Sequence, residues 1–255
     1  TSLGKVYSLK AYEIPEAGRQ ARGTAIINLI QLMPGERVEA VIPLEDDVSD
    51  QKYLLMATRK GIVKKSYIKE YKNIRKGGLI AITLRDDDEL VGVQLTNGNR
   101  EVVLASHKGM AIRFKETDVR PMGRTAMGVK GMDLDDDDYV VSMQLVSDDE
   151  YVLVISEKGY GKRSSIDEYR LQGRGGKGIL TMKITDKTGY LVDMKMVRDN
   201  QDLMIINSNG IIIRIEVNDI PVIGRNTQGV MLMRMDENES VISVAKVKND
   251  EDEDL

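Results

Sequence analysis

Cysteine and tryptophan are both absent from this chain of 255 residues, which also holds one phenylalanine, one histidine and five prolines. Without cysteine there is no disulfide framework, no thiolate metal site and no cysteine nucleophile. A reducing, cytoplasmic setting fits that composition. One histidine without a partner builds neither a catalytic triad nor a metal centre, and His107, beside Lys108 and Gly109, reads as a solvated turn residue. No run of about 18 apolar residues exists, and no signal-peptide pattern opens the chain. No initiator methionine precedes Thr1, so the chain reads as a piece excised from a longer protein.

Excess positive charge is lacking too. The net charge is −4, with 37 basic against 41 acidic groups. Five of those acids, however, sit together at Asp250, Glu251, Asp252, Glu253 and Asp254. Without them acids and bases nearly balance, at 36 against 37. Elsewhere acids cluster at Asp86 to Glu89 and at Asp135 to Asp138, while bases cluster in recurring loops. Local sign matters more than the sum, because potential decays over about 8 Å at physiological ionic strength.

What is present is a period. A glycine closes a short, basic, glycine-bearing loop at Gly23, Gly78, Gly128, Gly178 and Gly229, at intervals of 55, 50, 50 and 51 residues. A fixed spacing near fifty means one supersecondary unit repeated. Each period reads as four short strands with turns every 8 to 12 residues, and helix-length periodic segments are missing. In the period after Gly128 the strands are 129–134, 139–146, 151–156 and 160–164. The third, apolar strand recurs as 53–58, 102–106 and 203–207. A two-residue hairpin turn carrying glycine follows it, at Gly61, Gly109, Gly159 and Gly210, with Gly4 in the first copy.

The fold class is therefore all-β, with propeller-like, four-stranded blades. About five are visible: four complete units and a half-unit at each end, 4–10 and 241–247, which either combine to close a ring of five or belong to a larger ring. Missing tryptophan argues against WD-type blades. Tandem glycines occur in too few units for kelch repeats.

Two sets of bases recur in register. Lys65, Arg113, Arg163 and Arg214 stand four residues past the turn glycines, with Ser8 replacing the base in the first copy. They read as backbone contacts for a polyanion or as charged protection of strand edges. The loops supply Arg22, Arg75, Lys76, Arg124, Arg174, Lys177 and Arg225. Glycine lets backbone N–H groups approach a phosphate, and arginine offers a planar fork of donors. Such loops bind nucleic-acid backbone without choosing sequence. The bland alternative, a tight connection with a solvated arginine, fits one loop better than five.

At these residues the chain resembles a known family. The run Gln172-Gly173-Arg174-Gly175-Gly176-Lys177-Gly178 is similar to the glutamine-to-glycine basic heptad, the gyrase A box, of the DNA gyrase C-terminal domain. Gly4-Lys5-Val6-Tyr7, Tyr12-Glu13-Ile14-Pro15-Glu16, Glu116-Thr117-Asp118-Val119-Arg120 and 157–163 resemble it as well. The resemblance runs from Leu3 to the acidic tail. It implies a six-bladed β-pinwheel, in which neighbouring blades exchange strands and double-stranded DNA wraps around a basic rim. In the bacterial holoenzyme, an A2B2 assembly of gyrase A and gyrase B chains, that wrap serves ATP-driven negative supercoiling. The box proper and part of the first blade would lie upstream. Gly173 stands where the box has a base. No tyrosine here matches the catalytic one, so this type IIA topoisomerase piece is expected to be non-catalytic, with ATP and Mg2+ used elsewhere and no cofactor of its own. The alternatives are a topoisomerase IV-type DNA-bending domain and a protein-interaction propeller.

Other signals carry less. Tyr71 and Tyr169, just before the loops, read as packing residues. The Asp runs lack the glycine and terminal glutamate of an EF-hand. Paired glycines lack the strand–loop–helix context and the Walker lysine–serine pair. Methionines such as Met231 and Met233 suit a blade core. The pinwheel is expected over 1–248, and 249–255 reads as a disordered acidic tail that either solubilises the chain or competes with DNA for the basic rim.

Overall fold

A computed structural model describes residues 1–18, 20–44, 52–147 and 150–247. The expectations for the acidic tail fall outside the described residues. Seventeen strands follow one another among those residues. They are β1 (Lys5–Val6), β2 (Tyr53–Thr58), β3 (Ile62–Tyr67), β4 (Leu79–Ile80), β5 (Leu90–Thr96), β6 (Glu101–Ser106), β7 (Met110–Lys115) and β8 (Val129–Lys130). Then come β9 (Val140–Val146), β10 (Tyr151–Ser156), β11 (Tyr160–Ser165), β12 (Ile179–Leu180), β13 (Leu191–Val197), β14 (Asp202–Asn207), β15 (Ile212–Glu216), β16 (Val230–Met231) and β17 (Val241–Val247). The only helical pieces among the described residues are short 3-10 turns, and no helix there is long and apolar enough to cross a membrane.

Two compact units result. The first comprises Thr1–Thr58, Ile62–Gly98 and Val119–Val129, the second Arg59–Gly61, Asn99–Asp118 and Lys130–Leu255. The sheets run β1-β4, β5-β2-β3-β8, β12-β7-β6-β9, β13-β10-β11-β16 and β15-β14-β17. Four strands consecutive in sequence therefore do not make one blade. Of the period after Gly128, β8 joins β3, β9 joins β6, and β10 and β11 pair with each other. This is the strand exchange of a pinwheel. The first strand of the period shrinks to two paired residues because its role is only to cover a neighbour's edge. Each terminal half-unit pairs inside its own unit, β1 with β4 and β17 with β14.

The apolar third strand is buried on both faces, which is why it reads as a continuous hydrophobic run. Alternate residues of β10 serve two cores. Val152 and Val154 pack with Val103, Ala105, Met194 and Tyr169, while Leu153 and Ile155 pack with Leu203, Ile205, Val241 and Met233. In the first unit Leu54 and Met56 join Ile68, Tyr71, Ile82 and Leu90. Each such side chain contributes roughly 1.5–3 kcal/mol by leaving water. Met233 is core as expected, whereas Met231 is exposed.

The hairpin turns differ from the two-residue form expected. In the second unit Gly109 N–H donates to Ser106 O, Gly159 to Ser156 O and Gly210 to Asn207 O, each at 3.0 Å. Three loop residues thus end in a left-handed glycine, the arrangement of a turn followed by a bulge. A polar residue at the strand end buttresses the turn: Thr58 Oγ1 accepts from Ile62 N–H at 3.2 Å and Asn207 Oδ1 from Ile211 N–H at 2.9 Å. Gly159, at φ +75°, has a second constraint, since a Cβ there would lie 2.0 Å from the Met233 carbonyl oxygen. Gly210, at φ +79°, meets nothing within 4 Å. Gly159→Ala is thus expected to cost about 3 kcal/mol or more and Gly210→Ala only about 1 kcal/mol. Urea unfolding of the two variants measures both, and equal losses would mean that the close approach contributes nothing.

Candidate nucleic-acid interface

Loops 123–128, 172–178 and 224–229 are each laid down on a strand of the preceding period. The backbone of a strand-end base forms an isolated parallel bridge to the chain entering the loop: Lys65 with Pro121, Arg113 with Leu171, Arg163 with Val222. The carbonyl of that base then accepts the first loop hydrogen bond, from Met122 to Lys65 (2.8 Å), Gln172 to Arg113 (3.0 Å) and Ile223 to Arg163 (2.9 Å). The loop closes on a glycine pressed against the same strand. A Cβ on Gly178 (φ +80°) would sit 2.2 Å from Ala111 O, and one on Gly229 (φ +78°) 2.5 Å from Gly161 O. Strand backbone thus requires the closing glycines 128, 178 and 229, whereas Gly78 meets the Tyr7 ring and Gly23 meets nothing within 4 Å. Gly18, Gly77, Gly123 and Gly173, by contrast, face open space.

Side chains of three of the four strand-end bases, Lys65, Arg113 and Arg163, are covered by their own chain. Arg163 is 5% exposed; its Nε donates to Ile220 O at 2.7 Å, and its guanidinium pairs with Asp199 and lies over the Tyr151 ring. Arg113 Nε donates to Glu101 Oε2 at 2.6 Å, and its Nη1 reaches Ile166 O (2.8 Å) and Tyr169 O (3.0 Å). Lys65 is buried, with Nζ 5.2 Å from the Tyr53 ring centroid. Arg214 alone of the four is exposed, and it is paired with Asp202 at 2.6 Å. At Arg113 and Arg163 the positive charge meets the carbonyl ends of 3-10 turns, which attract a cation.

Loop bases behave otherwise. Arg22, Arg75, Lys76 and Lys177 are exposed, and Arg124, Arg174 and Arg225 are half-buried. Arg174 Nε donates to Asp118 O (3.0 Å) and Nη1 to Lys130 O (2.9 Å). Arg225 repeats the geometry a period later, with Nε to Glu168 O (3.1 Å) and Nη1 to Leu180 O (2.7 Å). Both arginines thereby join a 3-10 turn (Glu116–Asp118 or Ile166–Glu168) to a two-residue strand, β8 or β12. Two of five guanidinium N–H groups hold the side chain still, and its remaining edge is available for a phosphate. Gln172 and Gly173 lead into this clamp, and Gly175 continues it by donating from N–H to Gly131 O at 2.7 Å.

The signs are less segregated than the sequence implied. Lys177 forms an exposed ion pair with Asp135 of the acidic turn, which raises its pKa, and Lys130 pairs with Asp133 at 2.7 Å. His107 is not solvated either. Its ring stacks between Tyr139 and Tyr190, both at 4.4 Å, and Nδ1 donates to Leu191 O at 3.1 Å. Tyr71 and Tyr169 are buried as expected; Tyr169 Oη lies 2.5 Å from Thr181 Oγ1, and burial pushes its pKa up to about 12. Among the described residues no group of three or more His, Asp or Glu is placed to hold a metal.

Sequence inspection missed two lysines beneath the loops. Lys64 and Lys162 are wholly buried and reach loop carbonyls: Lys162 Nζ donates to Gly224 O (2.7 Å) and Arg225 O, and Lys64 Nζ to Arg124 O and to Ala81 O (2.6 Å). A signal existed. Tyrosine follows seven residues after each, at Tyr71 and Tyr169, while the alternate repeats have Ile112 with Val119 and Ile213 with Ile220.

The division between strand-end and loop bases is measurable. Arg163→Ala leaves carbonyls and Asp199 without their partner and is expected to cost about 2–4 kcal/mol. Arg214→Ala, at an exposed pair, should cost under about 1 kcal/mol. Thermal unfolding compares them, and an inert Arg163→Ala would contradict the inward assignment.

The sequence matches the family described as DNA gyrase C-terminal domain, beta-propeller, in five segments, 1–45, 52–97, 100–147, 150–198 and 201–248. It is 62% identical over 253 residues to the DNA gyrase A protein of Halalkalibacterium halodurans, covering 99% of this chain and 30% of that one. It is 52% identical over 255 residues to the DNA gyrase A protein of Clostridium acetobutylicum, covering 100% and 31%. The chain thus spans under a third of the length of these relatives. Among solved structures, a C-terminal domain of DNA topoisomerase IV superposes with TM-score 0.90 at 32% identity, covering 97% of this chain and 77% of that one. A DNA gyrase A C-terminal domain superposes with TM-score 0.83 at 29% identity, covering 96% and 80%. With five matched repeats and relatives aligned along its whole length, the chain belongs to the DNA gyrase C-terminal domain family.

Proposed function

We propose that this chain binds double-stranded DNA through its glycine–arginine loops and wraps it for negative supercoiling by a gyrase. The observation that carries this is the repeated clamp, in which Arg174 and Arg225 are fixed in the same way one period apart. An ordered guanidinium loses little side-chain entropy on meeting a phosphate, and a periodic set suits a periodic polyanion. The contact set is Arg22, Arg75, Lys76, Arg124, Arg174, Lys177 and Arg225, with Lys177 exchanging Asp135 for phosphate. Lys65, Arg113 and Arg163 hold the loops in place, and Arg214 stays with Asp202. Kinship to gyrase A proteins supports a holoenzyme of gyrase A and gyrase B chains, with strand cleavage, ATP and Mg2+ handled outside this piece, in the cytoplasm of a bacterium.

A second reading, a bending domain of topoisomerase IV type, is favoured by the 0.90 TM-score to that enzyme's C-terminal domain. Sealing a nicked circle with ligase in the presence of the chain separates the two. Chiral wrapping shifts the linking number in proportion to bound protein; bending leaves it unchanged.

Salt dependence tests the contacts. Log K should fall linearly with log salt, by about 0.9 per phosphate neutralised. Arg174→Ala should lower that slope by about one unit for all sequences alike. Gly173→Arg, at an open position, should raise it by about one and tighten binding. A slope that neither variant changes would remove the loops from the interface.

A further inference from the structure

Two of the loops are built over a buried ammonium. Lys162 stands three residues past Gly159 and is fully buried; besides Gly224 O and Arg225 O it reaches Thr227 Oγ1 at 3.1 Å. Three donors thus meet three acceptors, all in loop 224–229. Lys64, three residues past Gly61, has the same relation to Arg124 of loop 123–128. The charged groups around Lys162 are Glu168 and Arg225, and those around Lys64 are Glu70 and Arg124. A tyrosine seven residues on accompanies each lysine: Tyr169 is hydrogen-bonded to Thr181, and Tyr71 donates at 3.2 Å to Ala81 O, the acceptor it shares with Lys64. Loop 172–178 lies instead over Ile112, whose Cδ1 would be 3.8 Å from a Cβ on Gly176. It meets its backbone needs otherwise, through a left-handed Gly175 and the bond from Asp133 N–H to Gly176 O at 2.9 Å.

We propose that Lys162 and Lys64 are positioning residues for DNA binding, each placing a proton-dependent positive charge beneath the arginine of its loop. Phosphate binding at loops 224–229 and 123–128 is then coupled to protonation, while loop 172–178 binds without it. This rests on the DNA-binding reading above. Burial lowers both lysines from 10.5 to about 8, so the charge is lost just above neutral pH. A phosphate on the loop favours the charged form, and by reciprocity the charged form favours phosphate. The linkage to folding has the opposite sign. The folded pKa lies below the unfolded one, so the cost of burying the charge is present below pH 8 and relieved toward pH 10.5. Raising the pH therefore strengthens the fold at these sites and weakens DNA binding, a divergence that general unfolding does not produce.

The experiment is duplex binding by the whole chain at constant low ionic strength from about pH 7 to 9.5. Affinity should fall roughly three- to tenfold per lysine. Lys162→Ile with Tyr169→Val, the pair natural at 112 and 119, should bind more weakly at neutral pH and lose its share of the pH dependence. Should that variant fail to fold, NMR of the lysine side chains in the unaltered chain decides. Two lysines should titrate near pH 8 and move upward when duplex is added. Titration above about 10, no movement with duplex, or a variant profile parallel to the parent overturns the proposal. Absence of duplex binding at every pH would reject the DNA-binding reading itself, and with it this one; binding with a flat pH profile rejects only the coupling.

Discussion

An unpaired strand edge is the constraint from which the rest of this structure follows. The hairpins β2–β3, β6–β7 and β10–β11 each leave an outer strand whose backbone N–H and C=O groups need partners. A two-residue strand from further along the chain meets that need, β8 for β3, β12 for β7 and β16 for β11. To deliver it, the chain must turn sharply against the outer strand, which fixes a glycine at 128, 178 and 229. The loop before that glycine is the remainder of the turn, held at the surface because its end is held at the sheet.

The arginines join the same arrangement from the side-chain direction. The 3-10 turn Ile166–Glu168 receives Arg113 from the hairpin one repeat earlier and Arg225 from the loop one repeat later. One is covered, the other half-open. A cation that satisfies turn carbonyls in both cases is thereby a tie at one end of the unit and a presented charge at the other. The basic character of the repeat serves the fold first, and the partially exposed members inherit rigidity from it.

Much of this was legible in the chain. The third strands were bounded to within a residue because a strand buried on both faces is an uninterrupted apolar run, as in Val152 to Ile155. The turn glycines stood out because left-handed backbone excludes most residues. What the sequence hid was pairing. Nothing local in Val129-Lys130 reveals that these two residues belong to the sheet of β3 and not to that of β9, since both offers are equally apolar. Equally hidden was direction: Arg163 and Arg174 look alike in sequence, and only the position of carbonyls fixed by other repeats turns one inward and leaves the other half-open. Lys64 and Lys162 passed unremarked because lysine in a strand normally marks solvent.

Strand exchange also has a temporal side. The edge of β11 ends at Ser165, yet its cover, β16, begins only at Val230. A ribosome adds about 5–20 residues per second, so that edge waits several seconds for its cap during synthesis. Each newly emerged hairpin is thus an adhesive surface until the next repeat leaves the exit tunnel. Nascent chains on one messenger carry identical edges side by side, and the interval between exposure and capping sets how long they are open to mispairing.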